Sequence, residues 1–160
     1  MPIINIVSAT PADSARLYAI ITRAFAQYKE MLVPPSSVFK ETADSIQTKL
    51  TKGGGFIVRI KDQDAGSVLY EPQEDHLYLG RLAVLPEYRG KGIAHALINA
   101  VESHASQHNF PRVKLGVRLA LEANRRLFTS LGYEIIDYGT HDGFPEPTYV
   151  NMAKSITSKQ

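Results

Sequence analysis

The run Leu82-Ala83-Val84-Leu85-Pro86-Glu87-Tyr88-Arg89-Gly90-Lys91-Gly92-Ile93-Ala94 constrains this chain more than any other stretch. An apolar segment suited to a strand stops at Leu85-Pro86, and Ile93, Ala94, Leu97, Ile98, Val101 and Ala105 then recur at helical spacing. A strand must therefore pass into a helix through Arg89-Gly90-Lys91-Gly92. The first turn of a helix carries unpaired N–H donors and the positive end of the dipole, and glycine admits a ligand to the backbone without a Cβ in the way. Such a turn can bind phosphate, and in other chains it is simply a tight connection. It is not a P-loop, which needs Ser or Thr after Gly-Lys where Gly92 stands. Nor is it the dinucleotide fingerprint, since His95 occupies the third glycine position.

At 160 residues the chain suits one domain, read as residues 1–156 with a short polar tail at 157–160. Hydrophobic residues make up 44% and charged residues 21%, so neither disorder nor a membrane origin is indicated. A net charge of +2 gives a weak long-range field and argues against nucleic acid as a partner. The absence of cysteine excludes a disulfide framework, a thiolate nucleophile and a cysteine-type zinc site. The first 25 residues lack a basic start followed by an apolar run. No stretch approaches the ~20 apolar residues of a membrane helix. A cytoplasmic location without membrane contact is the expectation.

Ile3–Val7 reads as a short strand, and Thr10-Pro11 with Asp13 three places on is a helix start. Leu17, Ile20, Ile21, Ala24, Phe25 and Tyr28 form an apolar stripe behind it. A second helix is expected over 40–51, ended by Gly53-Gly54-Gly55. Strands at 56–60 and 67–70, separated by Asp62 to Gly66, read as a hairpin, and a third strand follows at 76–85. In that third strand Leu77 and Leu79 hold odd positions and Leu82 and Val84 even ones, with Gly80 where the phase changes. A β-bulge explains this, and so does a strand buried on both faces. A helix at 92–108, a strand at 113–119, a helix at 122–131 closed by Gly132 and strands at 133–138 and 148–156 complete the chain. The order β-α-α-β-β-β-α-β-α-β-β predicts a mixed α/β sheet covered by helices.

The stretch Leu82 to Ala94 resembles the acetyl-CoA signature of the GNAT superfamily of N-acetyltransferases, Arg/Gln-x-x-Gly-x-Gly/Ala, with Arg89, Gly92 and Ala94 in register. The element order is similar over nearly the whole chain, and Leu127 to Tyr133 resembles the family's late helix ending in Gly-Phe or Gly-Tyr. The resemblance implies a mostly antiparallel central sheet whose fourth strand is splayed from the fifth to make a cofactor cleft. Acetyl-CoA would be the co-substrate. Leu82, Ala83 and Val84 would pair with the pantetheine arm, with the Val84 N–H stabilising the oxyanion. Arg89, Gly90, Lys91, Gly92, Ile93 and Ala94 would hold the pyrophosphate. Asn124 shares a helical face with Leu127, Phe128 and Leu131 and reads either as a hydrogen-bond partner of the CoA arm or as a first-turn cap. Phe128 would line the same cofactor site.

The proton chemistry departs from the family's pattern. Many members carry a tyrosine four residues before the helix-ending glycine to protonate the departing thiolate, and Phe128 stands there. Positions two and four before Leu82, where some members place His or Glu, hold Gly80 and Tyr78. A substrate ammonium with a pKa near ~10 must lose a proton before it attacks, so a water chain to Glu30, Glu71, Glu74 or His76 is expected, with Tyr78 and Glu30 as catalytic candidates.

His104 and His108 lie four apart on a helix, but no third ligand is evident, and no metal is expected. Arg112, Lys114, Arg118, Arg125 and Arg126 make a basic patch, solvent-exposed or facing the CoA 3′-phosphate or an acidic partner. Tyr28, Tyr70, His141, Phe144 and Tyr149 fall in elements that resemble the family's acceptor wall. The function implied is N-acetylation of a primary amine on a small molecule or peptide by direct attack in a ternary complex. The alternative is a catalytically weak acyl-CoA-binding or sensor module. A homodimer is compatible with either.

Overall fold

The computed structural model describes residues 3–157, so 158–160 of the expected tail lie outside the described residues. Its strands are β1 (Asn5–Ala9), β2 (Gly54–Ile60), β3 (Gln63–Pro72), β4 (Leu77–Val84), β5 (Arg112–Arg118), β6 (Glu134–Gly139) and β7 (Tyr149–Ser155). Its helices are α1 (Ser14–Phe25), α2 (Ala43–Lys52), α3 (Ile93–Gln107) and α4 (Glu122–Ser130). This is the order that the periodicity predicts. The strands form one seven-stranded mixed sheet in the order β1-β2-β3-β4-β5-β7-β6. The β1–β2, β2–β3, β5–β7 and β6–β7 ladders are antiparallel. The β4–β5 ladder is parallel and pairs Leu77 with Val113 and Tyr78 with Lys114.

The described chain forms two compact units, residues 3–72 with Leu79–His104, and Gln73–Tyr78 with 105–157. In the first unit the Asp13 carboxylate accepts the Thr10 N–H at 2.9 Å, and a 3-10 turn at Pro11–Asp13 leads into α1. Thr42 and Ser45 cap α2 reciprocally. The faces of α1 and α2 that carry Leu17, Ile21, Ile46 and Leu50 are buried in one cluster with Ile57, Leu69, Ala83 and Leu85. In the second unit Val113, Leu115 and Val117 alternate along β5 and are buried, as are Val150 and Met152 of β7.

Two local expectations change. The hairpin turns at Lys61-Asp62 (φ +51° and +65°), not across Asp62 to Gly66, because both residues adopt the left-handed region that a two-residue turn requires. Gly66 lies within β3, where a Cβ would stand 2.8 Å from the Ala83 carbonyl oxygen and 2.9 Å from the Ile93 methyl. In β4 the left-handed residue is Arg81 (φ +52°), not Gly80. Leu77 and Leu79 are buried before it and Ala83 and Leu85 after it, while Leu82 and Val84 are half-buried. The strand is thus irregular at Arg81 and at least partly covered on both faces.

Candidate functional site

The first unit holds the glycine turn. Leu85 donates its N–H to the Ala65 carbonyl on β3 at 2.9 Å. Successive peptides along a strand face opposite edges, so Leu82 and Val84 direct their N–H groups away from β3. Pro86 then opens a 3-10 turn over Pro86–Tyr88, and the Tyr88 N–H returns to the Leu85 carbonyl at 2.9 Å. Gly90 and Gly92 follow with φ of +78° and +82°, a region open to glycine without strain. A Cβ built on either meets nothing within 4 Å. The Gly92 carbonyl accepts the Ala96 N–H at 3.1 Å, so the N–H groups of Ile93, Ala94 and His95 precede the first intrahelical donor of α3. Ile93 is buried and anchors this turn, and Lys91 is exposed beside it. Free backbone donors, the positive end of a helix and open space at the turn fit a phosphate.

Arg89, expected as a direct phosphate ligand, has its side chain engaged elsewhere. Its Nε donates to the Val84 carbonyl at 3.2 Å and its Nη2 to the Ala24 carbonyl at 3.1 Å, while Nη1 donates to Gln27 Oε1. A cation on the last carbonyls of α1 satisfies groups that the helix leaves open. Arg89 therefore ties the glycine turn to α1.

Upstream on β4, Arg81 donates from Nε to Glu41 Oε2 at 2.8 Å and from Nη2 to Ser37 Oγ at 3.1 Å. The Glu41 side chain is only 4% exposed, and it also accepts from Ser45 Oγ at 2.6 Å and from Lys49 Nζ. Burial pushes the Glu41 carboxyl up, and the hydrogen bonds from Lys49, Ser45 and Arg81 outweigh it, leaving the group below the usual range. No pattern in the sequence pointed to this cluster, because Arg81 lies 40 residues from Glu41.

The other expected residues divide between the units. In the first, Tyr28 packs edge-to-face on Phe25, and Glu30 is exposed. Tyr70 lies between Phe56 and His104, with ring centroids 5.6 and 4.4 Å away, and burial raises its phenol pKa.

In the second unit, His141 donates its N–H to Thr148 Oγ1 at 3.0 Å, its Nδ1 meets the same hydroxyl, and Tyr149 lies 5.1 Å from its ring. Burial and the nearby Arg118 charge hold its imidazole below the usual pKa. His141, Phe144 and Tyr149, three of the five residues expected along the acceptor wall, pack around the His141 ring. Tyr78 is partly exposed, its hydroxyl 3.4 Å from where a Cβ on Gly116 would stand. Asn124 is half-buried, and its N–H goes to the carbonyl of Leu121, the residue at the α4 cap. Phe128 is buried edge-to-face on Tyr133. Of the basic patch, Arg112 pairs with Asp75 and Arg126 with Glu122, which reduces its net field.

Solved structures share this fold. The ribosomal-protein-S18-alanine N-acetyltransferase of Escherichia coli superposes with a TM-score of 0.77 at 21% identity, over 99% of this chain and 97% of that one. The PaiA N-acetyltransferase of Thermoplasma acidophilum, solved in complex with coenzyme A, gives 0.78 at 16% identity, over 96% and 99%. An uncharacterized N-acetyltransferase of Halalkalibacterium halodurans is 36% identical over 81 residues, 51% of this chain and 43% of its own length. The N-acetylaspartate synthetase of Rattus norvegicus is 34% identical over 76 residues, 48% of this chain and 25% of its own. The matched region thus spans less than half the length of either relative. Residues 17–133, more than half of the chain, match the acetyltransferase (GNAT) family model, and the chain belongs to that family.

Proposed function

We propose that this protein moves an acetyl group from acetyl-CoA to a primary amine of a small molecule or peptide, by direct attack in a ternary complex. The observation that carries this reading is the open turn at Gly90 and Gly92, set where β4 meets the N-terminus of α3. Acetyl-CoA supplies the thioester carbonyl as electrophile. The N–H groups from Gly90 to Ala94 bind the pyrophosphate, and Arg89 shapes the turn from behind. The backbone of Leu82, Ala83 and Val84 pairs with the pantetheine arm, and the Val84 N–H donates to the carbonyl oxygen as negative charge develops there. The neutral amine forms the new C–N bond, the C–S bond breaks, and sulfur leaves with the electron pair. The proton lost from the nitrogen passes to solvent. Phe128 has no proton to give, so the sulfur departs as thiolate or is protonated by water.

The buried Phe128, in a position where many family members carry tyrosine, favours a second reading, an acyl-CoA-binding module without turnover. Calorimetric titration with acetyl-CoA, followed by a CoA-release assay over a panel of primary amines, separates the two. Saturable binding with amine-dependent release supports the transferase, binding without release supports the module, and no binding at millimolar ligand overturns both. The turn itself is tested by a pair of variants. Gly92→Ala and Gly92→Glu carry the same left-handed backbone penalty of about 1 kcal/mol, but only the glutamate places negative charge at the phosphate. Affinity is expected to survive in the first and vanish in the second, with both melting alike.

A further inference from the structure

The left-handed conformation in β4 falls on Arg81 although Gly80 stands beside it. Glycine takes that region freely and other L residues seldom do, so a backbone that places it on an arginine needs something to hold it there. The side chain supplies the hold: Arg81 reaches Glu41 at 2.8 Å and Ser37 at 3.1 Å. Glu41 is nearly inaccessible to solvent and is itself fixed by Ser45 and Lys49, so the anchor is rigid on the helix side. On the other side of the irregularity, Ala83 and Leu85 are held in the α1–α2 core, and Leu85 donates to Ala65. Between these two fixed points lie Leu82 and Val84, whose N–H groups face away from β3.

We infer that the Arg81–Glu41 pair is a positioning latch: it holds the irregular backbone of β4 so that the Leu82 and Val84 N–H groups stay aimed at the thioester carbonyl. This rests on the transferase reading proposed above. The latch touches neither substrate in that reading and acts through the strand. A donor displaced by a fraction of an ångström weakens the transition state more than it weakens cofactor binding, which rests mainly on the glycine turn.

Three variants test it. Arg81→Ala removes the ion pair and keeps the strained backbone, Arg81→Gly removes the pair and relieves the strain, and Glu41→Gln removes the anchor charge. For Arg81→Ala we expect kcat for CoA release to fall at least about tenfold while the acetyl-CoA dissociation constant stays within about twofold. Arg81→Gly is expected to recover a large part of the loss, and denaturation of each variant, with the assay run where all are fully folded, separates this from a change in stability. Amide exchange at Leu85, read by NMR, should quicken in Arg81→Ala and less so in Arg81→Gly. Equal kcat in all variants overturns the inference, as does a parallel fall in affinity and kcat. If Arg81→Ala does not fold, Glu41→Gln carries the same kcat and affinity comparison. If the wild type neither binds acetyl-CoA nor releases CoA, the transferase reading fails by itself. The exchange data then judge the latch alone, with faster exchange in Arg81→Ala supporting it and unchanged exchange overturning it.

Discussion

Glu41 shows how a single side chain can couple a helix, a loop and a strand. Its carboxyl is buried, and the donors from Lys49, Ser45 and Arg81 lower its pKa despite that burial. A depressed carboxyl pKa contributes stability that is fully present above the unfolded-state pKa of 4.5 and is lost as pH falls through the folded value. Denaturant titrations over an acid series should show the wild type losing an increment below that pH which Glu41→Gln lacks, and at neutral pH the variant should be less stable by about 2 kcal/mol. A variant whose acid limb parallels the wild type's would mean that another carboxylate governs it. At this scale the sequence was only partly legible. The glycines of the turn were, because glycine announces its backbone freedom. The irregular residue of β4 was not: Gly80 was the natural candidate, and only a partner 40 positions away explains why Arg81 takes the role. The resemblance places Arg89 in the pyrophosphate turn, and the engagement of its side chain with Val84, Ala24 and Gln27 depends on where α1 ends.

Among elements, the meeting of β3, β4 and the start of α3 determines whether the glycine turn has a firm base. Gly66 is the tight point, since a Cβ there would stand 2.8 Å from a β4 carbonyl oxygen and 2.9 Å from the Ile93 methyl that anchors α3. Neither neighbour is the far end of a flexible chain, so Gly66→Ala forces β3 off β4 or shifts Ile93. Overpacking of this kind should destabilise the fold by about 1–3 kcal/mol, read as a lower denaturant midpoint, and acetyl-CoA affinity should fall with it. Unchanged affinity in a destabilised variant would separate the packing at Ile93 from the turn. The element order was legible throughout, because the apolar stripes of α1 and α3 and the short β-branched runs have distinct periods. The hairpin turn was misplaced for a physical reason. Lys61 and Asp62 adopt left-handed conformations without glycine, while Gly66, the obvious turn former, is needed for its missing side chain inside β3.

For the molecule as a whole, the sequence carried the donor side of the chemistry further than the acceptor side. The glycine turn is one contiguous run, so its residues are visible in the sequence, and the resemblance to the family signature is what gives them a cofactor role. The acceptor candidates are scattered aromatics, and only folding shows that His141, Phe144 and Tyr149 cluster in one unit while Tyr28 and Tyr70 belong to the other. A ligand that binds the folded chain and not the unfolded one must raise its melting temperature. At a hundredfold excess over the dissociation constant the gain is about 2.7 kcal/mol, and a chain of this size shifts by roughly 2–4 °C for each of those, so acetyl-CoA should raise the midpoint by roughly 5–10 °C. Free CoA should act similarly, because in the proposed reading the turn at Gly90 and Gly92 meets phosphate and not the acetyl group, whereas Gly92→Glu should melt at the same temperature with or without ligand. A wild type indifferent to both ligands would leave the turn as a tight connection between β4 and α3. A shift with acetyl-CoA alone would instead move the main binding contribution from the turn to the strand at Leu82 and Val84.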